Sequence, residues 1–173
     1  MGRLLEYRAA VIASLDTLPA FRTVAAHAGI FNAASLQRFS IGTPAALVAI
    51  VQARALKRNN VGQFIGPVST AVYCLDKDPG KGDVWGPALE LAEIVADHIE
   101  LNQFGLDYVA GARVRDIDVL YSPDVDGMGL CIAGVMFDQE ITFGRDRHRE
   151  DELKGFPLGD VAELEEWPED LGL

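Results

Sequence analysis

Apolar and polar positions alternate most regularly between Leu130 and Phe143. Cys131, Ala133, Val135, Phe137, Ile141 and Phe143 share one face of that stretch, with Gln139 as the only polar interruption. A period of two with β-branched and aromatic side chains predicts a strand with one buried face. The opposite face starts apolar (Leu130, Ile132, Gly134, Met136) and turns polar (Asp138, Glu140, Thr142). Its apolar half calls for a cover, either a helix or another subunit. This strand folds back on one that begins near Tyr108, through a turn at Ser122 to Gly129. The first strand changes apolar parity, from Ala110, Ala112 and Val114 to Ile117, Val119 and Tyr121, which predicts a bulge near Arg115 and Asp116.

The same reading orders the rest of the chain. Leu4, Leu5, Val11, Ile12, Leu15 and Leu18 fall at three-to-four spacing and predict a helix from Leu4 to Leu18, stopped by Pro19. A short strand is expected at Phe21 to His27, and a short helix from Asn32 to about Ser40. Ala45 to Arg58 reads as a strand with Leu47, Ala49, Val51, Ala53 and Ala55 on one face. A turn at Asn59 to Gly62 returns the chain as a strand from Gln63 to Leu75. Pro67 cannot donate to a ladder, so this strand is expected to be an edge or to carry a bulge. Asp76 to Asp83 reads as a loop, and Trp85 to about Asn102 as the second long helix, with Ala88, Leu91, Ala92, Val95 and Ile99 inward and Glu90, Glu93, Asp97 and Glu100 outward. The expected fold is α+β, a mostly antiparallel sheet with two long helices packed on one face. Residues 1–144 form this domain and 145–173 an acidic C-terminal tail.

Charge changes this picture in one respect. The net charge is −11, yet from Glu150 onward nine acids meet a single base, Lys154, so most of the acidity belongs to the tail. A weakly acidic body lacks the clustered Lys and Arg that tight nucleic-acid binding needs. Cys74 and Cys131 sit within apolar strand patterns and read as buried free thiols. The N-terminus has no apolar signal core, Glu6 stands where a myristoylation signal would have Ser or Thr, and no run approaches a membrane span, so the protein is expected to be made and kept in the cytoplasm.

Candidate chemistry is sparse. Gly80-Lys81-Gly82 lacks the spacing and the Ser or Thr of a phosphate loop, and Gly127-Met128-Gly129 precedes a strand rather than following one. Asp124-Val125-Asp126-Gly127 resembles the start of a calcium loop, but Met128, Leu130 and Val135 stand where oxygen ligands belong. His27, His98 and His148 share no metal-ligand spacing, and His98 reads as a boundary residue of its helix. No catalytic residue, cofactor or metal is nominated, and the chain is read as not an enzyme.

The chain resembles the tail terminator (tail completion) proteins of long-tailed phages, in particular the Mu-like branch. The likeness spans Leu4 to Gly144. It rests on the first helix, the Ala45–Leu75 hairpin, the helix segment Leu89-Glu90-Leu91-Ala92-Glu93-Ile94, and above all the run from Gly129-Leu130-Cys131-Ile132-Ala133 through Val135-Met136-Phe137-Asp138-Gln139-Glu140-Ile141-Thr142-Phe143-Gly144. The resemblance implies a structural virion protein at the head-proximal end of the tail, assembled in the host cytoplasm. Its copies would form a ring, usually a hexamer, that caps the tail tube, ends tail polymerisation and joins the tail to the neck or head-tail connector protein. In contractile tails it would also touch the sheath, and DNA would pass through the lumen without specific binding. The residues supply candidate contacts for that role. Leu130, Ile132, Met136 and the strand carrying Pro67 are candidates for the subunit interface. The basic, polar hairpin tip (Lys57, Arg58, Asn59 and Asn60) is the candidate contact with tube or neck. Two other classes fit the composition: another neck or head-completion protein, and a small α+β ligand-binding domain or enzyme.

Overall fold

The structure, a computed structural model, describes residues 2–29, 42–77, 85–120 and 129–145. The expected helix at Asn32 to Ser40, most of the loop at Asp76 to Asp83, nearly all of the turn at Ser122 to Gly129 and the tail beyond Arg145 lie outside the described residues. The described elements are α1 (Arg3–Leu15), β1 (Thr23–Ala26), β2 (Ala45–Ala53), β3 (Lys57–Arg58), β4 (Phe64–Lys77), α2 (Gly86–Ile99), β5 (Arg113–Val119) and β6 (Leu130–Phe143). They make an α+β fold with a six-stranded mixed sheet of order β1-β2-β4-β6-β5, β3 pairing with β4.

The pairs from β2 through β5 are antiparallel, but β1 runs parallel to β2, with Thr23 opposite Ala45 and Ala26 opposite Val48. This departs from a sheet assembled from hairpins alone. Residues 27–44 between the two strands are long enough for the crossover that a parallel pair requires.

Both helices cover the same face. Tyr7, Val11 and Leu15 of α1 and Ala88, Leu91, Ala92, Val95 and Ile99 of α2 pack with Val68, Val72 and Cys74 of β4 and Cys131, Ala133, Val135, Phe137 and Ile141 of β6. The helices span 13 and 14 residues, shorter than their apolar stripes suggested. After Leu15 the chain tightens into i→i−3 bonds, Thr17 N–H to Ser14 O and Leu18 N–H to Leu15 O. After Ile99, Leu101 and Phe104 take positive φ of 60° and 53°, which ends helical geometry, and the Leu101 N–H donates to Ala112 O.

Two strand irregularities reset which residues face the helices. β2 shifts register between Ile50 and Gln52. Leu47, Ala49 and Val51 therefore face away from the helices, whereas Ala53 packs in the helix-side core, which corrects the single face predicted for Leu47 through Ala55. β5 shifts between Val114 and Asp116, at the predicted bulge. β4, which carries Pro67, is not an edge strand: β6 pairs with it from Phe64 to Lys77, and on its other side β2 pairs with Val68 to Leu75 and β3 with Phe64 and Ile65. The Pro67 carbonyl accepts from the Arg54 N–H, so its nitrogen faces the stretch 54–56, where β2 has ended and β3 has not begun. The missing donor thus falls opposite a gap in the neighbouring strand.

Candidate functional site

The hairpin tip is built around Asn59. Its Oδ1 accepts from the N–H groups of Val61 (3.2 Å) and Gln63 (2.8 Å), and its Nδ2 donates to Gln63 Oε1 (3.1 Å). Gly62 closes the turn at φ 83°, which favours glycine. Asn59 is thereby committed to the turn, while Lys57, Arg58 and Asn60 are exposed. The Arg58 guanidinium stands 5.0 Å above the Phe64 ring, and that ring lies 5.7 Å from Phe143. This stacking fixes the direction in which the tip presents its charge.

The sheet face away from the helices carries a second apolar cluster: Ala45, Leu47, Ala49, Ala71, Tyr73, Leu75 and Ile132, flanked by half-buried Leu130, Met136, Val51 and Leu120. Of the four residues nominated for a subunit interface, Leu130, Ile132 and Met136 meet on this face. Ile132 is fully buried in the single chain, so Leu130 and Met136 are the two with area left to present. Pro67 is half-buried beyond them in β4, opposite Glu140.

The same face holds an ionic cluster that the sequence pattern did not single out. Asp138 receives the Ser69 hydroxyl at 2.5 Å, Arg54 at 3.2 Å and Arg115 at 3.2 Å. Arg115 also meets Asp116 at 2.6 Å, and the Asp116 hydrogen bond together with the Asp138 charge raises the Arg115 pKa. Arg54, just past the end of β2, and Arg115, at the β5 register shift, converge on Asp138 from opposite sides of the β4–β6 pair. The pairs are half-exposed and contribute up to about 1 kcal/mol each. A polar Asp at a position where β6 leaves its apolar half was the only available signal, and period-two reading treats such a position as solvated.

On the helix side, an open groove runs between α2 and β5. Ile94, Ala96 and Val114 line it together with Glu90, Glu93, Asp97 and Glu100. Glu100 is partly engaged, accepting the Val114 N–H at 2.8 Å.

The interior polar groups are structural in character. Gln139 is buried, and its Nε2 donates to the carbonyls of Asn102 (3.0 Å) and Ala110. Tyr7 reaches the buried Thr70 hydroxyl at 3.1 Å, and burial pushes the Tyr7 phenol well up. Burial pushes the Cys74 thiol up to about 12 and also raises that of Cys131; both are free. His98 is half-buried, its Nε2 lying 2.8 Å from Ser14 Oγ, a link between the two helices. Among the described residues no group of three or more His, Cys, Asp or Glu is placed to hold a metal ion, and no helix is long and apolar enough to cross a membrane.

No protein-family model matches the chain, and no curated protein matches it. Solved structures do. A chain from the virion of a native gene transfer agent particle superimposes with a TM-score of 0.50 at 10% identity, covering 78% of this chain and 93% of that one. At that identity the likeness shows a shared fold.

Proposed function

We propose that this chain is a structural protein of a phage-like virion, and more narrowly a tail terminator that closes into a ring on the end of the tail tube. The observation that carries the coarser reading is the fold shared with a gene transfer agent virion chain across 93% of that chain. The finer reading adds the resemblance of residues 4–144 to tail terminators. The surfaces are consistent with such a role: β5 and the four-residue β1 are the sheet edges, an apolar pair faces away from the helices, and a basic tip stands at the end of the longest hairpin. In this reading copies meet head to tail, the tip meets a neighbouring subunit, tube or neck protein, and DNA crosses the lumen unbound. The chain acts through contacts and carries out no catalysis.

Mass photometry and negative-stain imaging of the purified protein, alone and with tail tubes, test the proposal. Closed rings of a fixed copy number, or caps on tube ends, are expected. A monomer at all concentrations that leaves tube ends bare would overturn it.

A further inference from the structure

We propose that the groove between α2 and β5 receives the hairpin tip of a second copy of this chain, residues 56–58. The inference rests on the ring reading above and names the contact that would close it.

The groove has an apolar floor. Ile94 is 42% exposed, and Val114 lies across from it on β5. Ile117 and Val119, 43% and 42% exposed, extend the same strand and face, since they pair with the helix-facing Val135 and Ala133. Glu90, Glu93 and Asp97 on α2 and Glu100 at its C-cap, spaced three and four apart, put four carboxylates along one wall. An occupant must therefore combine an apolar side chain with positive charge. The tip does so in three consecutive residues: Leu56, 40% exposed, then Lys57 and Arg58, both exposed. Arg58 is already held over Phe64, so little freedom remains to be lost on docking.

The tip cannot fill the groove of its own chain. β3 lies against β4 on the side away from β6, while β5 lies beyond β6. Three strand spacings, roughly 14 Å, separate the tip strand from the groove strand. Two different patches on opposite flanks of one subunit make a heterologous contact, the kind that generates rings. Simple strand addition at β5 is opposed by the edge itself, which carries a bulge and the charges Arg113, Arg115, Asp116 and Asp118. The acidic segment from Glu150 onward is a poor occupant, because its charge has the sign of the groove wall.

A charge-swap experiment tests this. Lys57→Glu/Arg58→Glu and Glu93→Lys/Asp97→Lys are made in the full chain, and thermal melts check that each variant folds. Sedimentation should show each variant alone associating about tenfold or more weakly than the unaltered protein, and an equimolar mixture of the two recovering assembly. Ile94→Asp should weaken association as the tip variant does. If the tip variant assembles like the unaltered protein, the groove takes something else: this inference fails while the ring reading stands. If each variant is weakened but the mixture does not recover, the pairing of tip with groove is wrong. If the unaltered protein stays monomeric with and without tail tubes, both fail.

Discussion

Gln139 shows how a single residue carries information in an otherwise apolar face. It interrupts the helix-facing side of β6, and its amide nitrogen ties down two carbonyls of the irregular segment between α2 and β5. Gln139→Leu removes that donor; Asn102 O keeps the Ala112 N–H, so the Ala110 carbonyl is the acceptor that loses its side-chain donor, and stability should fall by about 1–3 kcal/mol in denaturant titrations. Gln139→Glu should cost more at neutral pH, since a buried carboxylate would face carbonyl oxygens. Its carboxyl pKa would be raised in the fold, so the lost stability should return as the pH falls through that raised value towards the ordinary carboxylate range. Cys74 behaves as an inert core residue. Its thiol, held up to about 12, is neutral in the fold when the unfolded chain's thiol ionises near 9. The stability this contributes is present below about pH 9 and is lost as the pH rises towards 12. Thermal melts should fall over that window, and the fall should be shallower in Cys74→Ala. A thiol reagent at neutral pH should modify Cys74 only after unfolding.

At the scale of elements, periodicity made much of the fold legible and failed where it had to. The bounds of β6, the bulge in β5, the turn at Asn59 and the core stripes of both helices could all be read from spacing. The parallel pairing of β1 could not, because alternation defines the faces of a strand and not the direction of its neighbour. The register shift in β2 was hidden because Ala53 and Ala55 are small and apolar enough to suit either face. Pro67 pointed to an irregularity, which lies in the neighbouring strand. Gly66 marks the same place. A Cβ there would come within 3.0 Å of Arg54 O and 2.9 Å of Leu56 Cδ2. Gly66→Val should therefore push residues 54–56 off the sheet, at a cost of about 1–3 kcal/mol measured by chemical denaturation. It should also displace the tip and weaken association. Of the nominated site residues, three on β6 fall on one face as their alternation required. The cluster of Asp138 with Arg54 and Arg115 leaves no period-two signal, because it joins β6, the bulge of β5 and the segment that follows β2.

At the scale of the whole molecule, the described residues present unlike surfaces. One sheet face is closed by α1 and α2; the other carries a buried apolar cluster with Leu130 and Met136 at its margin. An acid-walled groove lies on the β5 flank, and a basic tip stands on the β4 flank. A subunit with unlike flanks is suited to the head-to-tail closure proposed above, and a body of small net charge suits the proposed channel for DNA. Met136→Asp, at a half-buried position, should leave a folded subunit with a melting temperature near that of the unaltered protein but prevent ring closure. If that variant forms normal rings, the second face is not part of the interface. Negative-stain imaging of the purified full chain mixed with tail tubes decides whether this protein caps a tail. Closed rings of uniform copy number seated on tube ends, with tubes of defined length, are expected. Dispersed monomers beside uncapped tubes that continue to lengthen would contradict that role.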